Sequence, residues 1–280
     1  MPIFMDRHYI EGATHHAIRN AHEKDLDIQD KYSVKFLTYW FDELRCTAFC
    51  LVDAPNQEVI QKAHAEAHGA IPGEIIEVDP AIVEAFLGRV KDPIQTQQAS
   101  GVASQPTIDS AFRVIMFTDL KDSTATTTRL GDAKALHFIH INNALTRNAL
   151  REFGGREVKH LGDGIMATFL SASNAVECAI SIQKAFAAHN QQQPDATLHL
   201  RLGLSAGEPV ADEGDLFGSA VQLAARLCAC AEPDQIVVSQ LVRDECQADL
   251  YPFLDLGEIK LKGFDSAVRA HAVQWRDVQG

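Results

Sequence analysis

Two aspartates occupy positions where a carboxylate can hold a cation. Asp119 follows the nearly continuous apolar run RVIMFT in the string FTDLKDST, and Asp163 lies between two glycines in HLGDGIMATF. At the end of a buried strand, with small hydroxyl residues and a helix start behind it, a carboxylate can bind a cation while backbone N–H groups face a phosphate. Taken singly, each has a plainer reading, Asp119 as a helix cap and Asp163 as the turn of an Asp-Gly hairpin. On neighbouring strands they would project from one sheet edge and could share a pair of divalent ions.

A second group lies nearer the N-terminus. Of the twelve histidines, six fall there: His8, His15, His16, His22, His64 and His68. His64 and His68 share a helical face at i, i+4, and Asp6 and His8 share one face of a strand at i, i+2. Imidazole with carboxylate or with the Cys50 thiolate suits Ni2+, Zn2+ or Cu2+, so the candidate ligands are Asp6, His8, His22, Cys50, His64 and His68. The alternative is a set of partly buried histidines in a regulatory domain.

The elements that must position these residues fall on either side of a break. KDPIQTQQASGVASQPTID, residues 91–109, has no apolar period and reads as a linker between domains at 1–90 and 110–280. Before it, strands are expected at Pro2 to His8, Phe36 to Phe41, Thr47 to Val52 and Glu74 to Val78. One helix is expected from the cap Thr14 to Lys24, and another from Pro55 to His68, stopped by Gly69. That β-α-β-β-α-β order predicts a ferredoxin-like domain in the α+β class. After it, strands are expected at Arg113 to Thr118, Glu157 to Leu161, Ile165 to Phe169, Leu198 to Leu204, Gln235 to Val238, Leu256 to Leu261 and Val268 to Val273. Helices are expected at Ala133 to Phe153, Ser173 to His189 and Gly218 to Cys230. The β-α-β-β-α-β theme is reused.

Composition excludes several functions. The 280 residues are 46% hydrophobic and 22% charged, and no apolar run approaches the roughly 20 residues of a membrane span. A formal charge of −13 with no basic stripe opposes nucleic acid, so neither nucleic acid nor membrane is an expected partner. The six cysteines form no paired CxxC pattern and read as reduced thiols of a cytoplasmic protein.

FTDLKDST, VKHLGDGIMATF, LRLGLSAGE, DLFGSAVQLAARL and IKLKGF, in that order, closely resemble the class III nucleotidyl cyclase domain from about Phe112 to Trp275. The resemblance implies a second ferredoxin-like fold and conversion of ATP to 3′,5′-cyclic AMP and pyrophosphate. It implies that Asp119 and Asp163 hold two Mg2+ or Mn2+ ions, that Lys159 and Asp215 read adenine, that Arg226 stabilises the pentacovalent α-phosphate, and that Lys262 contacts the β and γ phosphates. Gln222 stands where most of the family has an asparagine that positions the ribose, and Gly207 to Leu216 lacks a longer basic arm. The family's sites are composite, which implies a homodimer. MDRHYIEG, AHEKDLDIQ, FLTYWFDE, FCLVDAP and AHAEAHG resemble a small ferredoxin-like family with a nickel-binding member, which implies a sensory module that binds Ni2+ or another transition metal. The alternatives are a catalytically silent cyclase-like domain that binds nucleotide or serves as a scaffold, and a metal-binding protein with a vestigial C-terminal half.

Overall fold

The structure, a computed structural model, describes residues 1–91, 110–121, 132–208, 218–246 and 251–276. The chain divides into two compact units, one of Met1–Phe112 and one of Arg113–Glu208 with Ser219–Gly280. Apart from Lys91, the expected linker lies outside the described residues, as does most of Gly207 to Leu216.

The first unit runs β1 (Ile3–Tyr9), α1 (His15–Tyr32), β2 (Lys35–Asp42), β3 (Thr47–Asp53), α2 (Gln57–Ala67), β4 (Glu74–Glu77) and α3 (Pro80–Leu87). Its sheet has the order β2-β3-β1-β4 with every pair antiparallel, as the ferredoxin-like reading requires. Thr14 caps α1 by accepting from the Ala17 N–H at 3.3 Å. The helix then runs eight residues beyond Lys24, because its buried face turns polar. Ile18 is followed inward by His22 and Asp25, so the apolar period fades while the helix continues. At α2 the cap is Asn56, which accepts from the Val59 N–H at 3.1 Å and leaves Pro55 outside the helix. The sequence reading omitted α3, although Asp79, Pro80 and Gly88 are its cap, first residue and left-handed stop.

The second unit runs β5 (Arg113–Leu120), α4 (Asp132–Glu152), β6 (Arg156–His160), β7 (Ile165–Phe169), α5 (Ala172–Gln192) and β8 (Leu200–Gly207). There follow α6 (Gly218–Cys230), β9 (Ile236–Ser239), α7 (Gln240–Glu245), β10 (Phe253–Ile259) and β11 (Val268–Val273). The sheet order is β10-β11-β9-β8-β5-β7-β6, and only β8 and β9 are parallel. Its inner run β8-β5-β7-β6 repeats the first unit's β4-β1-β3-β2, so both units are built on one β-α-β-β-α-β plan. Ala175, Ala179, Ile182 and Phe186, expected on one side of α5, are at most 1% exposed. Burying side chains such as Ile182 and Phe186 contributes about 1.5–3 kcal/mol each. Lys262 does not lie on a strand, because β10 ends at Ile259 and the lysine sits in the turn before β11.

Close backbone approach fixes α6 against β8. A Cβ on Gly203 would lie 2.1 Å from the Cys228 nitrogen and 2.4 Å from the Ala224 oxygen, so only glycine fits between strand and helix.

Candidate active site and buried histidine cluster

Asp119 is the penultimate residue of β5, a strand held between β7 and β8. Its neighbour Thr118 is buried and accepts a hydrogen bond at 3.0 Å from the Ile165 N–H of β7. The turn before β7 lies directly on this strand end. Gly162 has φ +88°, Leu161 N–H donates to the Gly164 carbonyl at 2.8 Å, and a Cβ on Gly164 would meet the Thr118 oxygen at 2.1 Å and the Asp119 Cα at 3.6 Å. The backbones bearing Asp119 and Asp163 therefore adjoin at one end of the sheet. The fully buried Asn142 of α4 pins the turn from the other side, donating to the Asp163 carbonyl at 3.0 Å.

Arg201 stands opposite Asp119 in the β5–β8 register. Its guanidinium contacts Asp119 Oδ2 at 2.6 Å and donates to the Ala229 carbonyl at 2.9 Å, which ties β5, β8 and α6 together. Asp119 is 33% exposed. Two partly exposed carboxylates offer the oxygen ligands that hard divalent cations such as Mg2+ or Mn2+ take, and a guanidinium on one of them shows the position suits positive charge.

The other candidates are dispersed. Lys159 is exposed on β6, the edge strand, behind a bulge between Glu157 and Lys159. Arg147 of α4 grips Glu157 with two hydrogen bonds of 2.7 Å, and this pairing holds the Glu157 carboxyl below the usual range. Gln222 and Arg226 share the exposed face of α6, whose other face buries Ala224, Leu227 and Cys228. β7 and β5 separate β6, which bears Lys159, from β8, against which α6 packs, and by strand spacing those two strands stand about 14 Å apart. Lys262 is exposed, and Asp215 lies outside the described residues.

In the first unit the candidate ligands gather around His64, which is fully buried on α2. Its Nε2 is 3.0 Å from Asp6 Oδ2, and its Nδ1 is 3.0 Å from Asp25 Oδ1 and 3.1 Å from His68 Nε2. Asp6 Oδ1 accepts from the Cys50 N–H at 3.3 Å, because the two residues are paired across β1 and β3. Burial alone would depress the His64 pKa, but the charges and hydrogen bonds of Asp6 and Asp25 outweigh it and hold the imidazole at about 10. Burial likewise acts to raise Asp6, and His64 and His8 bring it well below the usual carboxylate range. Burial and the nearby Asp6 charge push the Cys50 thiol well up. His22 is not among the converging ligand atoms but lines an adjoining small cavity with His8, Asp25, Cys50 and His68.

Residues 109–275 match the family model described as the adenylate and guanylate cyclase catalytic domain. The chain belongs to this cyclase family. Residues 4–78 match the model described as nickel responsive protein SCO4226-like. A relative named putative adenylate cyclase 3 from Rhizobium meliloti is 37% identical over 124 residues, covering 43% of this chain and 21% of that protein. An adenylate cyclase from Streptomyces coelicolor is 30% identical over 129 residues, covering 46% of this chain and 32% of that one. The chain thus spans a fifth to a third of the length of these two relatives. A solved structure titled adenylate/guanylate cyclase/hydrolase from Silicibacter pomeroyi is 33% identical, with a TM-score of 0.50 over 58% of this chain and 95% of that one. No helix among the described residues is long and apolar enough to cross a membrane.

Sequence reasoning missed three residues of these clusters. Arg201 lay inside a block quoted for the cyclase domain, yet an arginine alternating with leucines reads as an outward side chain. Asn142 carried no signal beyond helical spacing. The clue to Asp25 was negative, an apolar helix period that stops before the helix does.

Proposed function

We propose that the chain is an adenylyl cyclase that converts ATP to 3′,5′-cyclic AMP and pyrophosphate at composite sites in a homodimer. The observation that carries this reading is the adjoining placement of Asp119 and Asp163 at one end of the sheet. Those carboxylates would hold two Mg2+ or Mn2+ ions, which when bound acidify the ribose 3′-hydroxyl and offset charge on pyrophosphate. The 3′-hydroxyl gives up its proton to solvent, and its oxygen bonds to the α-phosphorus as the bond from that phosphorus to the oxygen bridging to the β-phosphate breaks, releasing pyrophosphate. Lys159 donates to a purine ring nitrogen and Asp215 accepts from the exocyclic amine, which favours adenine over guanine. Gln222 orients the ribose, Arg226 stabilises the crowded α-phosphate with its fork of donors, and Lys262 pairs with the β and γ phosphates. The relatives named adenylate cyclase support ATP as substrate. The match to a nickel-responsive model supports reading the first unit as a sensory module.

Incubation of the full chain with ATP or GTP and Mn2+ or Mg2+, followed by product analysis, tests the reaction. Cyclic AMP that disappears in Asp119→Ala is the expected result. Mixing Asp119→Ala with Arg226→Ala chains should restore activity that neither has alone, and no recovery would refute the composite site. Gln222, one methylene longer than the family's asparagine, slightly favours a silent nucleotide-binding domain, and retained ATP binding with no cyclic product would support that reading instead.

A further inference from the structure

We propose that Arg147 and Asn143 of α4 are positioning residues for Lys159, and that through them the helix sets the preference for adenine. The inference rests on the reading of Lys159 given above and deepens it. Lys159 is exposed and forms no hydrogen bond or ion pair among the described residues, so its place is set by its strand. That strand is weakly held by the sheet, because β6 is the outermost strand and pairs only with β7. A side chain that must recognise a base within about 0.5 Å needs firmer support than one neighbouring strand.

A bulge of one residue decides which way Lys159 faces. The register places Glu157 opposite Ala167 and then Lys159 opposite Met166, with Val158 as the extra residue. Cross-strand partners share a face, so Glu157 and His160 lie with Ala167 and Ile165, whereas Lys159 lies with Met166 on the other side. In a regular strand Glu157 and Lys159, two residues apart, would point the same way. The face of Ile165, Ala167 and Phe169 is the one that α4 covers, since a Cβ on Gly155 would meet the Phe169 ring at 2.6 Å and Leu150 of α4 at 2.7 Å. The extra residue thus turns Lys159 away from the helix, while Glu157 before it and His160 after it keep touching the helix.

Those two touches grip the bulge from both sides. Arg147 donates Nε and Nη2 to the two carboxylate oxygens of Glu157, each at 2.7 Å, and His160 Nε2 donates to Asn143 Oδ1 at 3.0 Å. Asn143 and Arg147 are four residues apart and share one stripe of α4. At 40% and 28% side-chain exposure the Arg147–Glu157 pair adds little stability, so its two-point geometry serves placement. The adjoining stripe of Asn142 and Thr146 has a different object. Thr146 donates to Asn142 Oδ1 at 3.4 Å, which orients the amide so that Nδ2 meets the Asp163 carbonyl. One helix therefore holds Lys159 and Asp163 through separate groups, and each hold can be disturbed without the other.

The test is equilibrium binding of α,β-methylene analogues of ATP and GTP, which cannot be cyclised, to the full chain with Mn2+ present, so base preference is read without turnover. Arg147→Gln, Glu157→Gln and Asn143→Leu should each lower the ratio of ATP-analogue to GTP-analogue affinity about three- to tenfold, the worth of one hydrogen bond. Arg147 and Glu157 act through one another, so the double variant should lose no more than either single one. In a Lys159→Ala chain, Arg147→Gln should have no further effect on the ratio. Asn142→Leu should weaken Mn2+ binding and leave the ratio within about twofold, a split that general loosening would not produce. Arg151→Gln, which removes an exposed arginine one turn further along α4, should change neither quantity. Melting curves on the same preparations confirm that each variant is folded. A parent that binds neither analogue, or both equally, would overturn the reading of Lys159 and this inference with it. A parent that prefers the ATP analogue, with the ratio intact in folded Arg147→Gln or still lowered by it in the Lys159→Ala chain, would overturn the positioning role alone.

Discussion

Replacing Gly164 with alanine tests how tightly the aspartate pair is built. The new Cβ would sit 2.1 Å from the Thr118 carbonyl oxygen, about 1 Å closer than real Cβ atoms come. β5 cannot yield, because it is paired with β8 along its whole length, Thr118 lying opposite Leu202. The turn must give, carrying Asp163 away from Asp119 and straining the 3.0 Å hydrogen bond from Asn142. Misplacement of a catalytic group by 1 Å costs about 100-fold in rate, which corresponds to about 2.7 kcal/mol in the barrier. Overpacking of this kind costs about 1–3 kcal/mol of stability, so the variant should stay folded with a lower melting temperature. The assay is initial-rate formation of cyclic AMP across series of ATP and Mn2+, with circular dichroism melts on the same preparations. Gly162→Asn is the control: its position has φ +88° and nothing within 4 Å, and asparagine tolerates left-handed backbone, so its rate should fall by less than about threefold. A folded Gly164→Ala enzyme with kcat within about twofold of the parent would refute the reasoning, because ion placement would not depend on this contact.

Two further outcomes concern single side chains. Arg201→Gln removes the cation that competes for Asp119, and a partly exposed pair is worth about 1 kcal/mol, so Mn2+ should bind about fivefold more tightly by calorimetry; weaker binding would mean that Arg201 serves to aim the carboxylate. Gln222→Asn should raise kcat at saturating ATP by up to about 100-fold if the extra methylene displaces the ribose, and an unchanged kcat would show that α6 has already compensated.

The elements were legible wherever a local pattern and the tertiary role agreed. Ile165 to Phe169 and Val268 to Val273 were bounded to the residue, and the Gly162-Asp163-Gly164 turn announced itself through its glycines. Reading failed where a side chain's role is defined by a distant partner. Arg201 gains its meaning from Asp119, 82 positions earlier, and Asp25 gains its meaning from His64, 39 positions later. Neither separation has a period that a chain can display. The truncated view of α1 has the same cause, because burying His22 and Asp25 places polar residues where helix periodicity expects apolar ones. The strand expected at Leu256 to Leu261 overran β10 for a simpler reason: apolar alternation runs to Leu261, but the strand ends at Ile259, and Gly263, at φ +88°, belongs to a turn that includes Lys262.

The contact of Gly203 with α6 reaches beyond packing. With no side chain between them, β8 and α6 lie backbone against backbone, and together they carry both Arg201, which touches this chain's Asp119, and Arg226, which in the proposed composite dimer would serve the other chain. A shift of the helix that improves what one subunit lends would alter what it keeps. In the proposed dimer the two sites would therefore be yoked through each subunit's own backbone, and an effector that moved one helix would adjust both reactions together.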